Sequence, residues 1–149
     1  METRCARGLE HVAIAVKDLD AAVHYYVHVL GFAPPELEVV EEQKVRTAIF
    51  GHGMGRIELI CPTDASSGVA KFLEKRGEGL HHICVEVDDL VATLAELKAK
   101  GAQLIDKVPK IGAGGAKIAF VHPKGAHGVL TELRQGSLAL PAIAGRGPE

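Results

Sequence analysis

The sequence has no tryptophan, and only 4% of its 149 residues are aromatic. Phe32, Phe50, Phe72, Phe120, Tyr25 and Tyr26 are scattered along it. That excludes an aromatic cage for a quaternary cation and a stacking platform for bases. Cysteine is scarce as well. Cys5, Cys61 and Cys84 are odd in number and show no C-x-x-C spacing, which argues against a disulfide framework or a cysteine-rich zinc site and suits a reducing compartment. No apolar run approaches the roughly 20 residues that span a bilayer. Behind Arg4 and Arg7 the apolar stretch Val12–Val16 is only strand length, too short for the core of an export signal. Neither sign of charge dominates, the net charge being -2, so a nucleic-acid partner is not expected. What remains is ordinary globular composition, 47% hydrophobic and 24% charged, with a core of Val, Ile, Leu and Ala. We expect one cytoplasmic domain over residues 1–149, with no membrane or nucleic-acid partner.

The chain repeats itself. Leu9-Glu-His-Val-Ala-Ile-Ala-Val-Lys-Asp-Leu19 aligns with Leu80-His-His-Ile-Cys-Val-Glu-Val-Asp-Asp-Leu90 at an offset of 71 residues. A shared strand–turn–helix pattern explains the apolar matches. It does not explain why His11 falls on His82. Each stretch reads as a strand, then a capping Asp (Asp18, Asp89), then an amphipathic helix ended by Gly31 or Gly101. The first helix is expected to bury Leu19, Val23, Tyr26, Val27 and Leu30, the second Leu90, Leu94 and Leu97. Expected strands follow at Glu38–Val40, Val45–Phe50 and Arg56–Cys61, and at Gln103–Lys107, Lys117–Val121 and Gly128–Leu133. The expected fold is therefore α+β: two tandem βαβββ modules, about 8–62 and about 79–135, forming a cupped mixed sheet. A linking helix over Ser66–Arg76 would turn Val69, Phe72 and Leu73 inward, and residues 136–149 read as a frayed tail.

Four polar residues sit where apolar ones belong. His11 and His82 open equivalent strands; Glu58 lies in Ile57-Glu-Leu-Ile60 and Glu132 in Val129-Leu-Thr-Glu-Leu133. Each Glu follows its His at a similar distance, 47 and 50 residues. A single strand His is usually a hydrogen-bonded core or edge residue, and a single strand Glu usually faces water. Four at symmetric positions point instead to an N/O site for Co2+, Mn2+, Ni2+, Fe2+ or Zn2+. Other candidates are weaker. His24 and His28 lie opposite the apolar stripe and read as a solvated face. His81 has the opposite parity to His82 and is expected to face away from it. His52 sits in the turn Gly51–Gly55 without a partner. Cys84 shares the parity of His82 and reads as a small buried residue. Gly112-Ala-Gly-Gly115 matches neither a P-loop nor a dinucleotide fingerprint, although its amides could hold an anionic group.

These residues resemble the vicinal oxygen chelate (glyoxalase/bleomycin resistance) superfamily. His11–Leu19 is generic for it. Val69–Ile83 and Gly112–Glu132 are similar to its methylmalonyl-CoA epimerase branch, and the resemblance covers about Leu9 to Gln135. It implies metal ligands at His11, Glu58, His82 and Glu132, with Co2+ or Mn2+ favoured, a catalytic role for Glu132 as ligand and base, an acyl-CoA thioester substrate and a homodimer. The implied reaction inverts the carbon between carboxylate and thioester through a metal-stabilised enolate. Candidate substrate contacts are Thr47, Lys71, Gly114, Gly115 and Lys124. The chain departs from the pattern where some epimerases carry an opposite-face Glu: here Glu42-Gln-Lys-Val45 is followed by Arg46 and Thr47. A lactoylglutathione lyase-like enzyme and a non-catalytic metal or small-ligand binder are the alternatives.

Overall fold

The computed structural model describes residues 6–136; Cys5 and all but the first residue of the expected tail lie outside that range. Eight strands form one mixed, curled sheet in the order β2-β3-β4-β1-β5-β8-β7-β6. The first half comprises β1 (Ala6–Ala15), β2 (Glu36–Val40), β3 (Val45–Phe50) and β4 (Arg56–Pro62). The second comprises β5 (Gly79–Val87), β6 (Lys110–Ile111), β7 (Lys117–Val121) and β8 (Thr131–Gln135). Within each half the first strand runs parallel to the last, β1 to β4 and β5 to β8. The halves meet where β1 pairs antiparallel with β5.

Helices fill the outer side of each half. α1 (Leu19–His24) starts where the Asp18 carboxylate accepts Ala21 N–H at 3.0 Å. α3 (Leu90–Ala99) starts the same way, with Asp89 accepting from Ala92. These caps satisfy amides that a helix start leaves without partners. Beneath α1, Leu19 packs with Val16, Ala48, Phe50 and Leu59. Beneath α3, Leu90 and Leu94 pack with Val87, Ala119, Val121 and Leu133. The apolar side chains facing outward on the sheet thus find cover, which frees the opposite, concave face for polar residues. α2 (Gly68–Arg76), capped by Ser67, closes one end of the concave face by placing Val69 and Leu73 on Val40, Val45 and Ile60. Phe72 is only partly buried there.

Three sequence expectations fail locally. Leu30 is exposed, because α1 runs on into a π-helical turn over Tyr25–Val29 with Leu30 N–H bonded to Tyr25 O. The wider turn rotates the stripe away from the sheet. Gln103–Lys107 is not a strand. Leu104 makes one isolated bridge to Val121, and Ile105 and Asp106 both donate to Phe120 O. The Asp106 side chain takes the Phe120 N–H that a neighbouring strand would have bonded, so the edge strand forms only at Lys110–Ile111. The last strand begins at Thr131 rather than Gly128. A turn occupies the preceding residues, with Gly128 N–H on Pro123 O and His127 at φ 55. No helix among the described residues is long and apolar enough to cross a membrane.

Candidate metal centre and catalytic cup

The register across the central seam assembles the four expected residues. On β1 and β5, His11 pairs with Cys84 and Ala13 pairs with His82, so the two histidines lie diagonally across the seam. Their rings are 5.6 Å apart, edge to face. Glu58 is the β4 partner of Ala13, two residues past His11. Glu132 is the β8 partner of Cys84, two residues past His82. The same relation is thus built twice about the seam. All four side chains are buried. His11 Nε2 lies 3.5 Å from Glu58 Oε1 and 3.4 Å from Glu132 Oε1. His82 Nε2 lies 2.9 Å from Glu132 Oε1 and 4.0 Å from Glu58 Oε1.

This donor set fits a divalent cation. Ligands at about 2.0–2.2 Å from a metal stand about 3 Å apart when adjacent and about 4 Å apart when opposed, and the observed separations span that range. His11 Nε2 is buried without a hydrogen-bond partner. The charge balance agrees. Glu10, Glu58, Glu86 and Glu132 are all buried on this face. Arg56 and Arg134 contact Glu10, and Arg134 also contacts Glu86. Those two guanidiniums offset two of the four carboxylates and leave the two negative charges of Glu58 and Glu132. Buried charge is costly without a counter-ion, and a dication would supply the missing two. Without one, the surroundings favour a proton on His11. Burial opposes the charged form of His11, but the groups around it, Cys84, Glu10, Glu132 and Glu58, hold its pKa far above the ordinary histidine value. Burial likewise disfavours ionised Glu132, yet the neighbouring imidazoles of His11 and His82 bring its pKa down to about 2.

Period-two reading missed the residues that orient both imidazoles. In β1 the register skips between Leu9 and His11, which makes Glu10 a bulge residue. In β5 it skips between Leu80 and His82, which makes His81 one. The bulges break strict alternation and turn each residue toward the His that follows it. Glu10 Oε1 is 2.5 Å from His11 Nδ1. His81 Nδ1 is 2.8 Å from His82 Nδ1. The expectation that His81 faces away is therefore wrong. It is half-buried beside His82, with Phe72 against its ring at 4.8 Å. Burial and the neighbouring His82 lower its pKa to about 4, so it is a neutral acceptor at pH 7. Each Nδ1–H then donates to its bulge partner and leaves Nε2 facing the cup, the arrangement by which outer groups fix a ligating histidine. Glu10 is itself held by Arg56, whose Nε and Nη2 lie 3.0 and 2.5 Å from Glu10 Oε2. We expect Glu10→Gln to weaken Co2+ binding about 10- to 100-fold, read by calorimetry. An unchanged dissociation constant would remove Glu10 from this role.

The remaining expected residues separate. Thr47 is buried and lines the same cup, about 110 Å³ in volume, as do Glu38 and Gly114. Gly115 is next to Gly114 but is not among the lining residues. Lys71 lies on α2 against a second cavity of about 770 Å³, rimmed by Lys75, Arg76, Leu80 and Val129, which adjoins the cup at His81 and His82. Lys124 is exposed, and its N–H donates to His122 Nδ1. His24 and His28 stack on each other on the exposed face of α1 and its π-helical continuation, away from the cup. Cys84 is fully buried beside His11 and Glu10, and burial pushes its thiol up to about 12.

Residues 10–120 match the model of the glyoxalase/bleomycin resistance protein/dioxygenase superfamily, and the chain belongs to that superfamily. Its relatives narrow the class to racemase/epimerase enzymes. The chain is 41% identical over 128–129 aligned residues, 85% of its length, to relatives that include the ethylmalonyl-CoA/methylmalonyl-CoA epimerase of Cereibacter sphaeroides, of which it covers 96%. It is 47% identical over 125 residues to the uncharacterized protein YqjC of Bacillus subtilis, covering 84% of this chain and 89% of that one. Among solved structures, methylmalonyl-CoA epimerase from Mycobacterium tuberculosis superposes with a TM-score of 0.86 at 38% identity, covering 95% of this chain and 96% of that one.

Proposed function

We propose that this chain interconverts the epimers of methylmalonyl-CoA, or of a closely related branched acyl-CoA, in a metal-dependent reaction. The observation that carries the reading is the duplicated His/Glu geometry, which places each of two imidazole nitrogens 2.9–4.0 Å from both carboxylates in a small cup. The names of its relatives support the substrate class. His11, Glu58, His82 and Glu132 would hold the cation. The donor set is compatible with Co2+, Mn2+, Ni2+, Zn2+ and Fe2+, and the family resemblance favours Co2+ or Mn2+. A bound dication would supply Lewis-acid charge where the carboxylate and thioester oxygens of the substrate gather electron density.

The protein's own part is to position substrate and move protons. The α-carbon lies between two carbonyl groups, so its proton is already acidic. Glu132 stays ionised at neutral pH and can accept that proton. The electron pair left behind delocalises into the thioester carbonyl. Thr47 and Gly114 line the cup where the acyl group would sit. The adjoining cavity, with Lys71, Lys75 and Arg76 on its rim, offers an apolar wall and positive charge for the rest of an acyl-CoA. A homodimer in the cytoplasm completes the reading.

The test is exchange in D2O. With Co2+ present, methylmalonyl-CoA should take up deuterium at the α-carbon and lose its epimeric excess together, and EDTA should abolish both. Metal binding with neither exchange nor inversion would end the epimerase reading and direct the search to glutathione thioesters.

A further inference from the structure

We propose that Glu38, on the edge strand β2, is the second proton-transfer residue of the cup and acts on the face of the α-carbon opposite Glu132. This rests on the epimerase reading. Inversion needs a proton removed from one face and another delivered to the opposite face. A single fixed carboxylate on one wall returns the proton to the face it came from. Glu132 comes from β8, near the centre of the sheet. The second residue must titrate, line the same cup and come from another wall.

The chemistry of the lining leaves few candidates. Glu58 belongs to the same four-residue cluster as Glu132. Arg56 and Arg134 do not release protons at physiological pH and are engaged with Glu10 and Glu86. His81 is committed to His82. Glu36 and Glu38 remain. Both lie on β2, and both line the cup. Glu36 is exposed, whereas Glu38 is half-buried and held in place. Both Glu38 carboxylate oxygens accept Gly114 N–H, at 2.9 and 3.0 Å. That contact joins the outer strand of the first half to the turn before β7 of the second half. It shows that the curl of the sheet carries Glu38 across the mouth of the cup, although four strands separate β2 from β8 in the sheet order.

Register explains how this chain does without a carboxylate at position 47. Glu38 is the direct cross-strand partner of Thr47, and direct partners project from the same face of a sheet with Cβ atoms about 5 Å apart. Glu38 thus stands beside the position at which the resemblance places an opposite-face Glu in some epimerases. Thr47 Oγ1 is 3.5 Å from the Glu38 carbonyl oxygen, so its short side chain leaves the space over β3 open. In one direction the α C–H bond breaks, its proton passes to Glu132, and the Glu38 carboxylic acid delivers a proton to the opposite lobe of the carbanion. In the other direction the two carboxyl groups exchange roles. Each regains its starting protonation state by exchange with solvent, and nothing is oxidised or reduced.

The experiment follows each pure epimer separately in D2O with Co2+ bound. Wild type should exchange and invert both. Glu38→Gln should invert at least about 100-fold more slowly, the scale of a lost general acid or base. It should still exchange the α-proton of one epimer with retention, through Glu132, and bind Co2+ as wild type does. Thr47→Glu added to Glu38→Gln should restore inversion at least tenfold. Inversion by Glu38→Gln within threefold of wild type would overturn the assignment. So would parallel loss of exchange from both epimers, because that marks a binding or structural role. Absence of both exchange and inversion in wild type would instead overturn the epimerase reading beneath it.

Discussion

His82→Ala should lose bound metal and epimerisation together, while His24→Ala keeps both. His82 is buried, stands 2.9 Å from Glu132, and is held through Nδ1 by His81. Its removal takes away one of four donors and releases Glu132 from the partner that fixes it. Loss of an outer-shell partner alone costs about 10- to 100-fold in metal affinity, so loss of the donor should cost about 100-fold or more. Inversion should fall by about 1,000-fold or more. His24 carries the same side chain on an exposed helix face and controls for the removal of any imidazole. Metal content after dialysis, read by elemental analysis beside a circular dichroism melt, decides the matter. Equal metal in wild type and a folded His82→Ala would mean that the cluster is not a metal site.

Much of this was legible in the sequence because the repeat reports on itself. The match of His11 to His82, the two capping aspartates and the similar spacing to Glu58 and Glu132 foretold two equivalent halves and the strands that carry the four residues. The register then placed Glu58 and Glu132 in the same relation to their histidines. What stayed hidden is what alternation cannot encode. The bulges at Glu10 and His81 carry no glycine or proline to announce them, and each moves a side chain to the face that parity denies it. Leu30 was misplaced because one residue too many in a helical turn has no compositional mark. Gln103–Lys107 has the composition of a strand, yet Asp106 captures the amide of Phe120 and breaks the ladder. Glu38 read as an ordinary strand residue. Its place in the cup depends on the curl of the sheet and on a backbone contact 76 residues away.

Glu132→Gln should separate proton transfer from metal retention. Gln has nearly the shape of Glu, and its amide oxygen can still face the cation, so the metal should be retained better than in His82→Ala. The amide cannot act as a base. Exchange and inversion should therefore both fall by about 100- to 10,000-fold, the usual contribution of a positioned general base. The metal-free protein offers an independent readout. Burial raises the Glu132 pKa, but the His82 hydrogen bond and the nearby His11 imidazole outweigh it and bring the value in the fold to about 2, below the ordinary 4.5. A carboxyl whose folded pKa is depressed stabilises the fold above its unfolded pKa. That contribution is lost as pH falls from about 4.5 toward about 2, because the unfolded chain binds the proton first. Acid denaturation of metal-free wild type should thus include this loss, and Glu132→Gln should show a shallower decline of stability over the same interval. A variant that keeps wild-type inversion would transfer the base to another side chain, whereas one that loses metal as completely as His82→Ala would make Glu132 indispensable as a ligand and leave its role as base without support.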